Sequence, residues 1–166
     1  MVFRYYDGRV DERYCIDMDC RGGHCHAIMV NDDYTTDEIF YDDLDYGKEV
    51  RIGDPYIDCP EDVRALVREK KVFGESGWFA ETGDIVEVIK GKKYPVGMKM
   101  AVIDFKEVRY NGYLTLYITF GSEKGIERID ADNVKIIAIR GGSKNQEQYK
   151  DVHDITYSDN IREVVA

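Results

Sequence analysis

Three of the four cysteines, Cys15, Cys20 and Cys25, share a twelve-residue stretch with His24 and His26, and Cys59 follows later in the chain. Zinc takes four sulfur or nitrogen ligands in a tetrahedron, often as pairs of ligands two to four residues apart on a turn. The inventory here is sufficient for a structural zinc site built from some of Cys15, Cys20, His24, Cys25, His26 and Cys59, but the spacing is not a standard one. On an extended strand His24 and His26 share a face while Cys25 takes the other, so only a subset can converge. Cys59 precedes Pro60 at the expected start of a helix, where the helix dipole would lower a thiol's pKa and suit it to ligation or reactivity. The competing readings are free thiols, because cysteine packs as a small hydrophobe, and a catalytic cysteine.

A second constellation is cationic. Lys90, Lys92, Lys93, Tyr94 and Lys99 gather four charges and one aromatic ring around a single predicted turn. Such a loop grips a phosphate, stacks on a base, or holds an acidic protein, and the bland alternative is a solvated turn. Trp78 and Phe79 precede it. They are read as packing between the two halves of the chain, with an exposed anchor for a partner as the alternative.

Other residue patterns carry less chemistry. The acidic runs Asn31-Asp32-Asp33 and Asp42-Asp43-Leu44-Asp45 lack EF-hand spacing and read as solvated faces, with mimicry of a phosphate backbone as the alternative. There is no Gly-x-Ser-x-Gly elbow, no HExxH and no phosphate-binding P-loop, and His153 falls in a weakly patterned tail. The expectation is therefore a protein that is not an enzyme. Thirteen tyrosines, among them Tyr5, Tyr6, Tyr14, Tyr41, Tyr46 and Tyr56, give the N-terminal half an interface-prone character.

The elements that must position these groups follow from periodicity. Tyr14 to Asp19 and Cys25 to Val30 are extended runs around Arg21-Gly22-Gly23-His24, the pattern of a β-hairpin. Thr35 to Phe40 is ambiguous: Thr35 with Glu38 matches a capping box, yet Glu38-Ile39-Phe40-Tyr41 equally suits a strand. Pro60 to Lys71 is the clearest helix, with acidic residues at its start and an apolar stripe of Val63, Leu66 and Val67. From Gly83 the period changes to two. Asp84 to Lys90, Lys99 to Glu107, Tyr113 to Phe120, Gly125 to Asp130 and Val134 to Arg140 are predicted strands, punctuated by glycines, Asn111-Gly112 and Asp132-Asn133. Leu114, Leu116, Ile118 and Phe120 alternate with Thr115, Tyr117 and Thr119, so one face is buried. Five short strands in so few residues predict a closed barrel.

The run Gly83-Asp84-Ile85-Val86-Glu87-Val88-Ile89-Lys90-Gly91-Lys92-Lys93-Tyr94-Pro95-Val96-Gly97 resembles the opening of a KOW-type SH3-like barrel, and Ile129 to Ile137 resembles its final strand. Met100 stands where that family usually has a second glycine. The resemblance spans Thr82 to about Arg140 and implies the company of transcription and translation factors, ribonucleoproteins, and uncharacterised bacteriophage proteins.

The expected organisation is an α+β chain: residues 1–81 as an α+β module with the Cys/His hairpin, 82–140 as the five-stranded SH3-like barrel, and 141–166 as a loosely held tail with a short helix begun by Ser158 or Asp159. The formal charge of −10 opposes general attraction to nucleic acid. It favours an adaptor or inhibitor on a larger protein or ribonucleoprotein, with direct nucleic-acid binding through the basic loop, or a metal- or cysteine-dependent enzyme, as alternatives. The charged N-terminus and the lack of a long apolar run predict no membrane association and a cytoplasmic location, in the host if the chain is viral.

Overall fold

A computed structural model describes residues 2–21, 24–40 and 57–152, with backbone alone at 2–4, 20–21, 24–25 and 145–146. It is mostly β, with few helices. The chain divides into two compact units, Met1–Lys70 and Lys71–Ala166.

In the first unit a small ladder pairs β1 (Val2–Arg4) with β2 (Val10–Glu12). A three-stranded antiparallel sheet follows, from β3 (Cys15–Arg21), β4 (His24–Val30) and β5 (Thr36–Phe40), in that order. The predicted hairpin is thus present as β3 and β4. The ambiguous segment is a strand, because its side chains satisfy strand partners. Ile39 joins Cys15, Ala27 and Met29 in a buried cluster flanked by Tyr5 and Met18, while Glu38 Oε2 meets His26 Nδ1 at 3.1 Å. Thr35, the presumed cap, is instead held in the preceding turn: Asp33 Oδ1 accepts from its N–H at 3.0 Å and its hydroxyl at 2.5 Å. These bonds hold the Asp33 carboxyl below the usual carboxylate range, hydroxyl first.

Helix α1 (Glu61–Val72) has Glu61 and Asp62 in its first turn and buries Ala65 and Val67. Arg64 N–H donates to Pro60 O at 2.9 Å, so Pro60, expected as the first helical residue, is instead the cap, and Cys59 lies one residue outside it. Just before it, Asp58 clamps the edge of β3. Its carboxylate accepts from Cys15 N–H at 2.8 Å, and its own N–H donates to Cys15 O at 3.2 Å.

The second unit is built on one antiparallel sheet: β6 (Ile85–Val88), β7 (Lys99–Tyr110), β8 (Tyr113–Ser122), β9 (Gly125–Asp130) and β10 (Val134–Ala138), ordered β10-β6-β7-β8-β9. All five lie within three residues of their predicted bounds, and β9 matches at both ends. Alternation drives β8: Leu116, Ile118 and Phe120 are buried with Ile85, Val86, Val88, Met100, Val102 and Ile136. Met100 pairs with Val86 inside this core. Asn111 and Gly112 carry φ of +49° and +81°, the left-handed pair that a two-residue hairpin turn requires.

The expected closed barrel is corrected in one respect. β9 and β10 are the two edges of the ladder and do not pair with each other. A 3-10 turn, Ala131–Asn133, redirects the chain between them, so that Val134 pairs with Val88. The outer edge of β10 is occupied instead by residues 74–76: Gly74 N–H donates to Ile136 O and Ile136 N–H to Glu75 O, both at 2.8 Å, and Ser76 bridges Lys135. Covering an edge in this way removes a template for aggregation. Beyond Gly141 comes α2 (Asn145–Gln148), and Tyr149 and Val152 pack on Ile85, Ala101, Ile137 and Ala138. The predicted helix at Ser158 or Asp159 lies outside the described residues, as do His153, the run from Asp42 to Asp45, and Tyr41, Tyr46 and Tyr56.

Candidate anion-binding groove

The loop from Ile89 to Met98 joins β6 to β7 and is anchored at both ends. Ile89 N–H donates to Asn133 O at 2.8 Å, Val88 N–H to Met98 O at 2.9 Å, and Gly97 N–H to Val88 O at 2.9 Å. Fixed stems leave the charged residues between them exposed: Lys90, Lys92 and Lys93 all face solvent. Tyr94 is the exception, half-buried and turned inward. Its ring meets Phe120 edge-on at 5.4 Å, and its hydroxyl lies 3.3 Å from both Glu127 Oε1 and Arg128 O. Lys93 Nζ sits 5.2 Å from the centre of that ring.

Between this loop and the β8–β9 ladder is a groove of about 320 Å³, whose charged and aromatic lining is Lys90, Lys92, Lys93, Arg128, Tyr94, Tyr117 and one carboxylate, Asp130. The Arg128 guanidinium lies 4.4 Å from the Tyr117 ring centre, a cation–π layer in the groove wall. Among the described residues Lys90, Lys92, Lys93 and Arg128 form no ion pair. Four cations to one carboxylate, with two phenol rings around the same concavity, suit an anion attached to something flat or apolar.

Lys99 stands apart from this group. Its Nζ is 3.5 Å from Glu87, which Lys135 meets at the same distance, and Lys99 lines a second cavity of about 540 Å³ with Lys93, Tyr94, Phe120 and Lys124. Trp78 is 37% exposed and its indole N–H donates to Asp132 Oδ1 at 2.7 Å, while Phe79 is more exposed still. Sequence reasoning found the loop residues because they are contiguous, and missed Tyr117 and Arg128. The available signal was the β8 alternation, which sends Tyr117 to the face opposite Ile118.

Net charge does not oppose such a site locally. Residues 1–70 hold 18 acidic and 9 basic residues, and residues 71–166 hold 15 and 14, so the acidity is concentrated in the first unit.

The cysteine and histidine cluster lies on the β3–β4 hairpin, with Cys59 just before α1. Cys15 is fully buried, and burial, with Asp58 nearby, pushes its thiol up to about 11. Cys59 is also shifted upward, first by burial and then by Asp58, which corrects the expected lowering by the helix dipole. His26 packs on Phe40 at 4.5 Å and pairs with Glu38. Cys20 lies opposite Cys25 in the ladder, and Arg21 opposite His24. Among the described residues no group of three or more His, Cys, Asp or Glu side chains is arranged to hold a metal ion.

A thiol that keeps its proton in the folded state to a higher pH than in the unfolded chain contributes stability that is lost with rising pH. For Cys15 this loss falls between pH ~9 and ~11 and amounts to roughly 2–3 kcal/mol. Denaturant titrations across that window should show a steeper decline for the native chain than for Cys15→Ala, and parallel curves would refute the assignment.

These features define a class by form alone: a β-rich chain whose second unit carries a cationic, aromatic groove at a sheet edge. No protein-family model, curated protein or solved structure matches the chain. Among the described residues no helix is long and apolar enough to cross a membrane.

Proposed function

We propose that the chain is a non-enzymatic interaction protein, an adaptor or inhibitor, that engages an anionic stretch of a larger protein or ribonucleoprotein through an SH3-like second unit. One observation carries this reading: Lys90, Lys92, Lys93 and Arg128 converge on one groove with two tyrosines and without carboxylate partners among the described residues. The SH3-like assignment is supported by five antiparallel strands in the order β10-β6-β7-β8-β9, with a 3-10 turn between β9 and β10, and by the KOW-type resemblance of the loop. Both the fold and the groove serve to present charge, and a long flexible lysine is a point-charge ligand for phosphate or carboxylate.

The test compares the native chain with the triple variant Lys90→Glu/Lys92→Glu/Lys93→Glu. Retention on an immobilised polyanion such as heparin should fall steeply with salt for the native chain and be abolished in the variant. Because all three lysines are exposed, the variant should keep its melting temperature. Equal retention of the two proteins would remove the groove as the binding face.

A further inference from the structure

Burial of one face of β8 dictates what the other displays. With Leu116, Ile118 and Phe120 in the core, Tyr113, Thr115, Tyr117 and Thr119 occupy the opposite face. The ladder register extends that face sideways. On β7, Tyr110 is opposite Tyr113, Val108 opposite Thr115 and Lys106 opposite Tyr117. On β9, Arg128 is opposite Thr119 and Asp130 opposite Tyr117. The result is a row of aromatic rings with two cations, Lys106 and Arg128, at its Tyr117 end, running from the groove to the hairpin tip. There Tyr110 and Tyr113 are 75% and 79% exposed. Tyr113 and Tyr117 are four residues apart on one strand, roughly 13 Å.

The two carboxylates on this face have backbone partners: Asp104 accepts from Phe105 N–H at 2.8 Å and Asp130 from Asp132 N–H at 2.9 Å. Neither ion-pairs with Lys106 or Arg128 among the described residues.

We propose that this face and the adjoining groove bind single-stranded nucleic acid along β8. Phosphates sit on Lys90, Lys92, Lys93 and Arg128, and bases stack on the Arg128–Tyr117 layer and on the tyrosines at the tip. This rests on the reading of the groove as an anion site and names its occupant. An acidic peptide would use the cations and leave the tyrosine row idle. A duplex offers phosphates but hides its base faces, whereas unpaired bases present a π-face to each ring.

The experiment is fluorescence anisotropy with a labelled oligothymidylate and oligouridylate of about twelve nucleotides, the matching duplex, and polyglutamate as competitor. Native chain should bind the single strands in preference to duplex and polyglutamate, with a log–log salt slope of roughly −3 for four phosphate contacts. Tyr110→Ala/Tyr113→Ala should weaken single-strand binding about tenfold and leave polyglutamate binding unchanged, while Tyr110→Phe/Tyr113→Phe retains native affinity. The lysine-to-glutamate triple variant should weaken both. If polyglutamate or duplex binds as well as the single strand and the alanine pair changes nothing, this proposal fails and the groove reading survives. If the native chain binds no polyanion, both fail together.

Discussion

Replacing Asp84 by alanine is expected to destabilise the second unit by about 3 kcal/mol and lower its melting temperature by roughly 12–24 °C. Asp84 is fully buried, and each of its carboxylate oxygens accepts a backbone hydrogen bond from a different segment. Oδ2 takes the N–H of Glu81 at 2.8 Å, and Oδ1 the N–H of Arg140 at 2.9 Å, 56 residues away. The backbone of Asp84 adds a third link, its carbonyl accepting from Val102 N–H at 2.9 Å. One side chain thus ties the entry to β6 to the exit of β10. Alanine leaves two amide donors without their acceptor, and such donors cost more than the hydrogen bonds contribute when made. Asp84→Asn should cost less, because one oxygen remains, but its amide nitrogen faces an N–H where an oxygen stood. Thermal melts of the three proteins check this, with amide exchange at Glu81 and Arg140 locating the damage. An unchanged melting temperature for Asp84→Ala would refute the staple.

Gly77→Ala is expected to be nearly as damaging, at roughly 2–3 kcal/mol, for a reason that is purely steric. Gly77 lies in the 3-10 turn Gly77–Phe79, against the β8 core and the Ala131–Asn133 turn. A methyl group there would stand 2.6 Å from Val134 Cγ2, 2.7 Å from Ile118 Cδ1 and 2.8 Å from Ala131 O. Two of these neighbours are fully buried side chains and the third is backbone, so none can move aside without disturbing the core. Gly97→Ala is the matched control. It has open space around it and a φ of +91°, so it should cost about 1 kcal/mol of backbone strain alone. If chemical denaturation places Gly77→Ala at or below the control, close approach at this turn is not what the glycine serves.

Much of the second unit was legible because its signals are local. The Asn111-Gly112 turn is written in two residues, and the alternation from Leu114 to Phe120 names its buried face without reference to anything else. The predicted helix at Pro60 to Lys71 agrees with α1 for the same reason, its acidic first turn and apolar stripe lying within a few residues of one another. Thr35 to Phe40 was undecidable locally. What made it a strand was an edge of β4 beside it and His26 waiting for Glu38. The Cys59 thiol shows the converse case, in which a sound local argument from the helix dipole was outweighed by burial and by Asp58.

The candidate groove divides along the same line. Lys90, Lys92, Lys93 and Tyr94 could be found by reading along the chain, since four neighbours on one loop stay together in any fold. Tyr117 and Arg128 could not, for they enter only because the β8–β9 register sets Thr119 opposite Arg128 and Tyr117 opposite Asp130. Lys99 left the group for a similar reason, drawn to Glu87 across the β6–β7 pair. Strand periodicity, turn residues and the basic loop were therefore in the amino-acid order, because backbone sterics and side-chain alternation act over a few residues. Which charges stay unpaired, which thiols are buried, where the sheet stays open and which rings share a face were decided only by tertiary packing. Those outcomes depend on ladder register and desolvation between segments that lie tens of residues apart.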